Sequence, residues 1–341
     1  MEIVLELIRF LGISLMLFLS GYLSQKHRSH PAARIGALFS FGMAIYLLMP
    51  LILRHTDNPV LIGIPLFATF SNSFLFWMFC RSIFSERAPI RWIHYSLWGA
   101  SQLISYMVFF RLPESLFQWG SQVSEFEFIR KLLPHGLYLG FILAGIVSSQ
   151  KDARADLVSS RIQLRRAFLA VVAFYGVLIS VTEILLQGQH ASPAIDVIHY
   201  SILLVLTGLF FREIKNHPEL FSDSGVKAET FEPSPLQKEL KHQMEVGKVY
   251  RQEGLTIVLL AERLRTQEYL LRRCINQELG FRNFNDFLNH YRIQEACTRL
   301  KAEPGLPILN LSLELGYRSL APFNRAFKEK TGATPTQFRL E

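Results

Sequence analysis

The sequence predicts an all-α chain in two unlike parts: a seven-helix transmembrane bundle, then an α-helical domain with two helix-turn-helix motifs joined by a linker helix. Three observations carry this. Half of the 341 residues are hydrophobic and only 19% are charged. That is too apolar for an ordinary soluble chain, and it excludes a disordered or collagen-like one. The apolar residues gather in long runs before residue 212. The last third is polar and basic, with a helical period whose pattern occurs twice. Residues 235–341 hold 17 Lys and Arg against 12 acids, whereas residues 1–234 hold 19 against 16, mostly in short gaps between apolar runs. Cys80, Cys274 and Cys297 show no paired spacing, which excludes a disulfide scaffold and a cysteine-based zinc site.

Seven runs are long enough to cross a bilayer, at about 17–25 residues each. They lie at 3–24, 35–53, 60–80, 92–110, 132–148, 167–187 and 194–211, and the second and third carry no Asp, Glu, Lys or Arg. The first exceeds a signal-peptide core and is read as a retained span. Gaps 25–34, 81–91 and 149–166 hold eleven Lys and Arg, against four in the alternate gaps. Basic residues stay on the cytoplasmic side, so the N-terminus is expected outside and the part after the seventh span in the cytoplasm. The expected location is the inner membrane, multi-pass, with the bilayer as partner.

Titratable residues within these spans matter because burying them is costly. Glu6 and Arg9, one turn apart, are expected to pair. His135, Glu183, Asp196 and His199 fall on the fifth to seventh runs, towards the outer leaflet, and form a candidate signal site. The competing reading is that they reach water or satisfy one another. No spacing supports a metal or haem site. Ser71-Asn72-Ser73 and Gln102 read as hydrogen-bonding glue between helices.

The domain reading is 1–215 for the bundle, 216–234 for a flexible linker and 235–341 for the second domain. As a coil the linker spans on the order of 25 Å. Ser234-Pro235-Leu236-Gln237 is a helix-start pattern, and a polar helix is expected through about Tyr250. Leu260, Ala261 and Leu264 form one apolar stripe, and Leu271 and Ile275 form another after a break at 265–267. Two short helices about a tight turn make a helix-turn-helix at about 256–279. The pattern recurs at about 308–330. Leu311, Ser312 and Leu315 repeat Leu260, Ala261 and Leu264, Gly316 opens the turn, and Phe323, Arg325 and Phe327 repeat Leu271, Arg273 and Ile275. Between the copies, Phe284, Phe287, Leu288 and Tyr291 mark one helix of about 18 residues, roughly 27 Å long. That length suits two readers in successive major-groove segments about 34 Å apart.

Residues from about 235 to 341 resemble the DNA-binding domain of the AraC/XylS family of bacterial transcription regulators. The resemblance rests on Leu260-Ala261-Glu262-Arg263-Leu264, on LGFRNFNDFLNHYRIQEA (279–296) and on LGYRSLAPFNRAFKEKTGATPTQFR (315–339). Ser312 stands where the family usually has Ala. The family's soluble effector domain is replaced here by the apolar part, which marks a membrane-bound type. The resemblance implies double-stranded promoter DNA as partner, with RNA polymerase and a homodimer as further expected partners. It implies no cofactor, no metal and no enzyme activity. Carried onto this chain, the DNA contacts are Tyr269, Arg272 and Arg273 in the first copy and Leu320, Ala321, Asn324 and Arg325 in the second. Asn276, Lys328 and Lys330 are expected at phosphates. For any single Arg the competing reading is a solvated helix face. Arg292, mid-spacer, reads as a structural ion-pair partner, and Cys274 and Cys297 as core.

The function expected is a membrane-tethered, sequence-specific regulator that couples a membrane or envelope signal to promoter binding. The rival is an integral-membrane enzyme or transporter with a fused DNA-binding control module. No nucleophile motif, phosphate loop or inverted repeat supports it. Reporter fusions after His30, Ala88 or Val158 should report cytoplasm, and fusions within 112–128 or 188–193 the outside. Opposite results after Val158 would overturn this topology.

Overall fold

The computed structural model describes residues 2–84, 91–110, 123–150, 153–158, 161–165, 175–176, 193–221 and 233–340. Among these there is no strand, only one isolated bridge between Asp156 and Asn283. The chain divides into two compact units. The first comprises Met1–Ala153 and Gln163–Ser222, the second Arg154–Ile162 and Asp223–Glu341.

In the first unit the helices are α1 (Glu2–Lys26), α2 (Pro31–His55), α3 (Pro59–Phe84), α4 (Trp92–Phe109), α5 (Val123–Gln150) and α6 (Pro193–Asn216). Helix α2 packs on α1 and α3, α3 also on α4 and α5, and α1 on α6. Four described helices are long and apolar enough to cross a membrane: α1, α2, α3 and Ala194–Asn216 of α6. The expectation of seven spans is therefore corrected. Helix α4 is only 18 residues long and carries His94, Gln102 and three serines. In α5, Pro134-His135 and a Ser148-Ser149-Gln150 end dilute the apolar run. Of the run at 167–187, only 175–176 lies within the described residues.

The interior of this unit is built on Leu19, Leu23, Phe76, Phe79 and Phe84, but its outer surface is apolar as well. Large apolar side chains face out, among them Ile64 at 72% and Val147 at 70% exposure, while Ser40, Ser71, Ser101 and Gln102 are buried. Ser71 and Gln102 meet at 3.0 Å, and the Trp98 indole N–H donates to Ser71 at 3.1 Å, as the glue reading expected. Trp77 donates to Ser148 at 3.0 Å across α3 and α5. The Arg9 guanidinium, 3% exposed, donates to Glu6 at 2.7 Å and lies over the Tyr200 ring at 5.2 Å. The first residues of the expected linker are ordered: Leu220 and Phe221 are buried, and the Phe221 ring lies tilted against His27 at 4.8 Å.

The second unit holds α7 (Pro235–Glu245), α8 (Ile257–Arg263), α9 (Glu268–Arg273), α10 (Phe284–Ala302), α11 (Ile308–Glu314), α12 (Leu320–Thr331) and α13 (Pro335–Leu340). Ser234 caps α7, accepting from the Gln237 N–H at 3.1 Å. The helix ends at Glu245 rather than near Tyr250, because Lys248 turns left-handed (φ 47°) and sends Val249 and Tyr250 into the core. One cluster joins both motifs: Leu260, Leu271, Ile275, Phe287, Leu311 and Phe327 are all buried in it. Helix α10 runs through its middle and supplies Phe284, Phe287, Leu288, Ile293, Ala296 and Leu300.

The two turns are built alike. Thr266 N–H bonds the Ala261 carbonyl at 3.0 Å, and Tyr317 N–H bonds the Ser312 carbonyl at 3.1 Å. Each turn needs a left-handed residue, Arg265 (φ 49°) in the first and Gly316 (φ 82°) in the second. Ser312 is fully buried, and its hydroxyl donates to the Leu309 carbonyl at 2.7 Å. At Gly316 a Cβ would stand 2.5 Å from the Arg251 carbonyl oxygen. Gly316→Ala should therefore cost about 1–3 kcal/mol of stability, read from denaturant unfolding. Arg265→Gly should instead stabilise by up to about 1 kcal/mol. Equal stability of parent and Gly316→Ala chains would contradict this close approach.

Candidate nucleic-acid interface

The outward faces of α9 and α12 present most of the side chains expected at DNA. On α12, Phe323, Ala326 and Phe327 are buried. The opposite stripe, Ala321, Asn324, Arg325 and Lys328, is exposed at i, i+3, i+4 and i+7 spacing, the spacing of one helical face. Leu320 is half-buried and packs on the core rather than projecting freely. Lys330 pairs with Asp286 of α10 at 2.9 Å.

On α9, Tyr269 is 62% exposed and Arg273 is exposed. Asn276 behaves differently. The helix passes at Cys274–Glu278 into a π-helical turn, in which the Leu279 N–H reaches the Cys274 carbonyl at 3.2 Å. The wider turn adds a residue, so the position seven beyond Tyr269 rotates inward. Asn276 is buried and donates to the Phe281 carbonyl at 3.0 Å, while Gln277 takes the outward place. Gln277 is thus a surface candidate that periodicity misses, since a π turn leaves no mark in a 3.6-residue count.

Arg272 is half-buried and already engaged. Its Nε and Nη2 donate to Glu268 Oε1 at 2.7 and 2.5 Å, Nη2 also to the Arg154 carbonyl at 3.1 Å, and Nη1 to the Asp156 carbonyl. The segment bearing these carbonyls belongs to this unit although it lies more than 100 residues upstream. Nothing in the sequence pattern marks it.

Helix α10 holds the two readers by charge as well as by packing. Arg292 is buried and structural, as expected, but its partners are carbonyls rather than acids. It donates to Tyr250 O at 2.7 Å and Gln252 O at 3.1 Å and lies over the Tyr317 ring at 5.0 Å. Burial lowers its pKa. Glu295 accepts from the Tyr250 hydroxyl at 2.8 Å, from Arg251 Nε at 3.0 Å and from Lys248 at 3.4 Å. Arg299 donates to Glu314 of α11 at 2.6 Å. Burial pushes the Cys274 thiol up to about 12, keeping it protonated. This agrees with its place in the core.

Of the candidate signal residues, His135 lies edge-on to Tyr138, and His199 lies edge-on to Tyr175, whose hydroxyl donates to the His199 carbonyl at 3.1 Å. Asp196 is half-buried, and Glu183 lies outside the described residues. An apolar cavity of about 190 Å³ is lined by Met16, Phe39, Met43, Phe79, Tyr175 and Leu206, with Glu213 as its acid. His135, Asp196 and His199 do not line it. Among the described residues no group of three His, Cys, Asp or Glu is placed to hold a metal ion.

Residues 260–341 match the helix-turn-helix domain family, of AraC type. The match begins inside α8 and covers both reading helices. No curated protein and no solved structure matches the chain. The geometry and the match together support a DNA-binding transcription regulator.

The Glu295 clasp has a pH signature. Burial works to raise this carboxyl, but the hydrogen bonds from Arg251 and Tyr250 outweigh it and hold it down at about 2. A depressed carboxylate stabilises the fold above its unfolded pKa, about 4.3, and that stability is lost as pH falls through its folded value. Glu295→Gln should lower stability at neutral pH and flatten the loss between about pH 4.3 and 2. Denaturant midpoints against pH provide the check. Parallel curves for the two chains would deny the clasp.

Proposed function

We propose that the chain is a membrane-tethered, sequence-specific transcription regulator whose C-terminal unit reads promoter DNA in the cytoplasm. The single observation that carries the reading is the pair of exposed stripes, Tyr269 with Arg273 on α9 and Ala321–Asn324–Arg325–Lys328 on α12, set on one spacer helix. Arg reads guanine O6 and N7 through two donors, and Tyr meets a thymine methyl or a phosphate. The second stripe offers fewer hydrogen bonds and is expected to read less sequence. The spacer, 19 residues long, spans roughly 28 Å, close to one turn of duplex.

Membrane tethering is supported by the apolar outer surface of the first unit. Outward Leu, Ile, Val and Phe side chains have no gain in water, whereas in lipid they meet matching hydrocarbon, and the buried Ser, Gln and Trp groups find partners between helices. The helix-turn-helix match supports a cytoplasmic second unit, because that is where DNA is found. A signal then acts on the helices themselves, through His135, Glu183, Asp196 and His199 or through the apolar cavity. RNA polymerase and a second copy of the chain are the further expected partners.

Binding to duplex DNA should weaken steeply with salt, because Lys and Arg contacts release counterions. Arg273→Ala should cost about 1–3 kcal/mol at the preferred site and relax base preference there. Lys328→Ala should weaken all sequences alike. Affinity measured over a salt series and a base-substituted site panel checks both. Unchanged specificity in Arg273→Ala would reject α9 as the reader.

A further inference from the structure

The second unit contains a piece of chain from inside the helical bundle's sequence, and that piece sits on a reading side chain. Residues 154–158 follow α5, and their flanks at Ala153 and Gln163 belong to the first unit. The Leu157 N–H donates to the Arg282 carbonyl at 2.9 Å, and the Phe284 N–H donates to the Ala155 carbonyl at 2.8 Å, forming the antiparallel bridge of Asp156 with Asn283. Leu157 is 3% exposed and joins the cluster that holds Leu271, Ile275 and Phe284. The Asp156 carboxylate is buried. It accepts from the Val158 N–H at 3.1 Å and lies 3.8 Å from Arg161, itself buried. The segment is therefore seated by backbone pairing, an apolar anchor and an internal ion pair.

Its carbonyls at 154 and 156, with Glu268, take up four of the five N–H donors of Arg272. A bidentate guanine contact needs two donors free on one edge of the guanidinium. Arg272 cannot serve the loop and a base at once.

We propose that the 154–158 segment is a built-in competitor of DNA for Arg272, so that loop docking and full operator engagement are alternative states of the reader. The proposal rests on the DNA-binding reading above. A change in the bundle that pulls on Ala153 or Gln163 then acts on α9 directly, without passing through the linker. Coupling follows because DNA binds the undocked state better, and a signal that favours undocking raises affinity.

The test uses the full chain in lipid nanodiscs and short duplexes enriched from a random pool by the wild-type protein. Amide hydrogen exchange at Leu157 and Phe284 should show protection without DNA and its loss when the enriched duplex is bound. Leu157→Ser, which removes the anchor, and Asp156→Asn, which removes the ion pair but keeps the cap, should each bind that duplex about tenfold tighter. Both amides still protected in the DNA complex would overturn the proposal. So would folded variants that bind no tighter, and in that case the DNA reading stands. A wild-type chain that enriches no sequence overturns that reading and the proposal together. If Leu157→Ser fails to fold, the wild-type exchange result and Asp156→Asn decide.

Discussion

Everything in the DNA-reading unit hangs on α10. One face of this helix buries Phe284, Phe287, Leu288, Ile293, Ala296 and Leu300 against both motifs. Interleaved with these apolar residues, Arg292, Glu295 and Arg299 reach Tyr250, Arg251, Gln252 and Glu314. Either motif alone is two short helices, of 7 and 6 residues in the first copy, too short to hold shape in water. Packing on one rigid rod makes them ordered. It also fixes their separation, which two independent folding units would not.

That dependence explains which parts were legible in sequence. The apolar stripes of α8, α11, α12 and the spacer follow a 3.6-residue period, and Gly316 marks one of the turns, so both motifs could be placed before any coordinates. The matching turn at Arg265 has no glycine and was readable from the break in the apolar stripe at 265–267. The π turn at Cys274–Glu278 broke the count within one helix and exchanged Asn276 for Gln277. In α7 the pattern continued past Glu245, yet Gly247 and the left-handed Lys248 ended it to bury Tyr250. Local periodicity cannot foresee such an override by tertiary packing.

The two units differ at their surfaces rather than in their interiors. In the second, Phe and Leu fill the interior and Arg and Lys face out. In the first, Leu19, Leu23, Phe76, Phe79 and Phe84 fill the helix contacts together with Ser40, Ser71 and Gln102, while Ile64, Val147, Phe10 and Trp92 stand exposed. Composition made this contrast readable, but not the number of membrane-crossing helices. Helix α4 shows why. His94 and Gln102 lower its hydropathy while being satisfied internally, His94 by the Arg91 backbone and Gln102 by Ser71.

Least legible of all was the contact of residues 154–158 with the reader, since it joins positions far apart in sequence by carbonyl oxygens rather than by side-chain type. In sequence this stretch reads as one more basic gap, notable for Lys151, Arg154 and Arg161. In the fold its charges matter less than its backbone, because Arg272 needs acceptors and any residue supplies a carbonyl. An arginine on a reading helix was expected to face either DNA or water. The guanidinium has a third option, a peptide segment that offers it carbonyls in a half-buried, partly desolvated setting. Where the segment comes from then decides what the contact does. A loop from within the second unit would only stiffen it, whereas this one has ends that run into the other unit, which is the observation the proposed competition for Arg272 builds on.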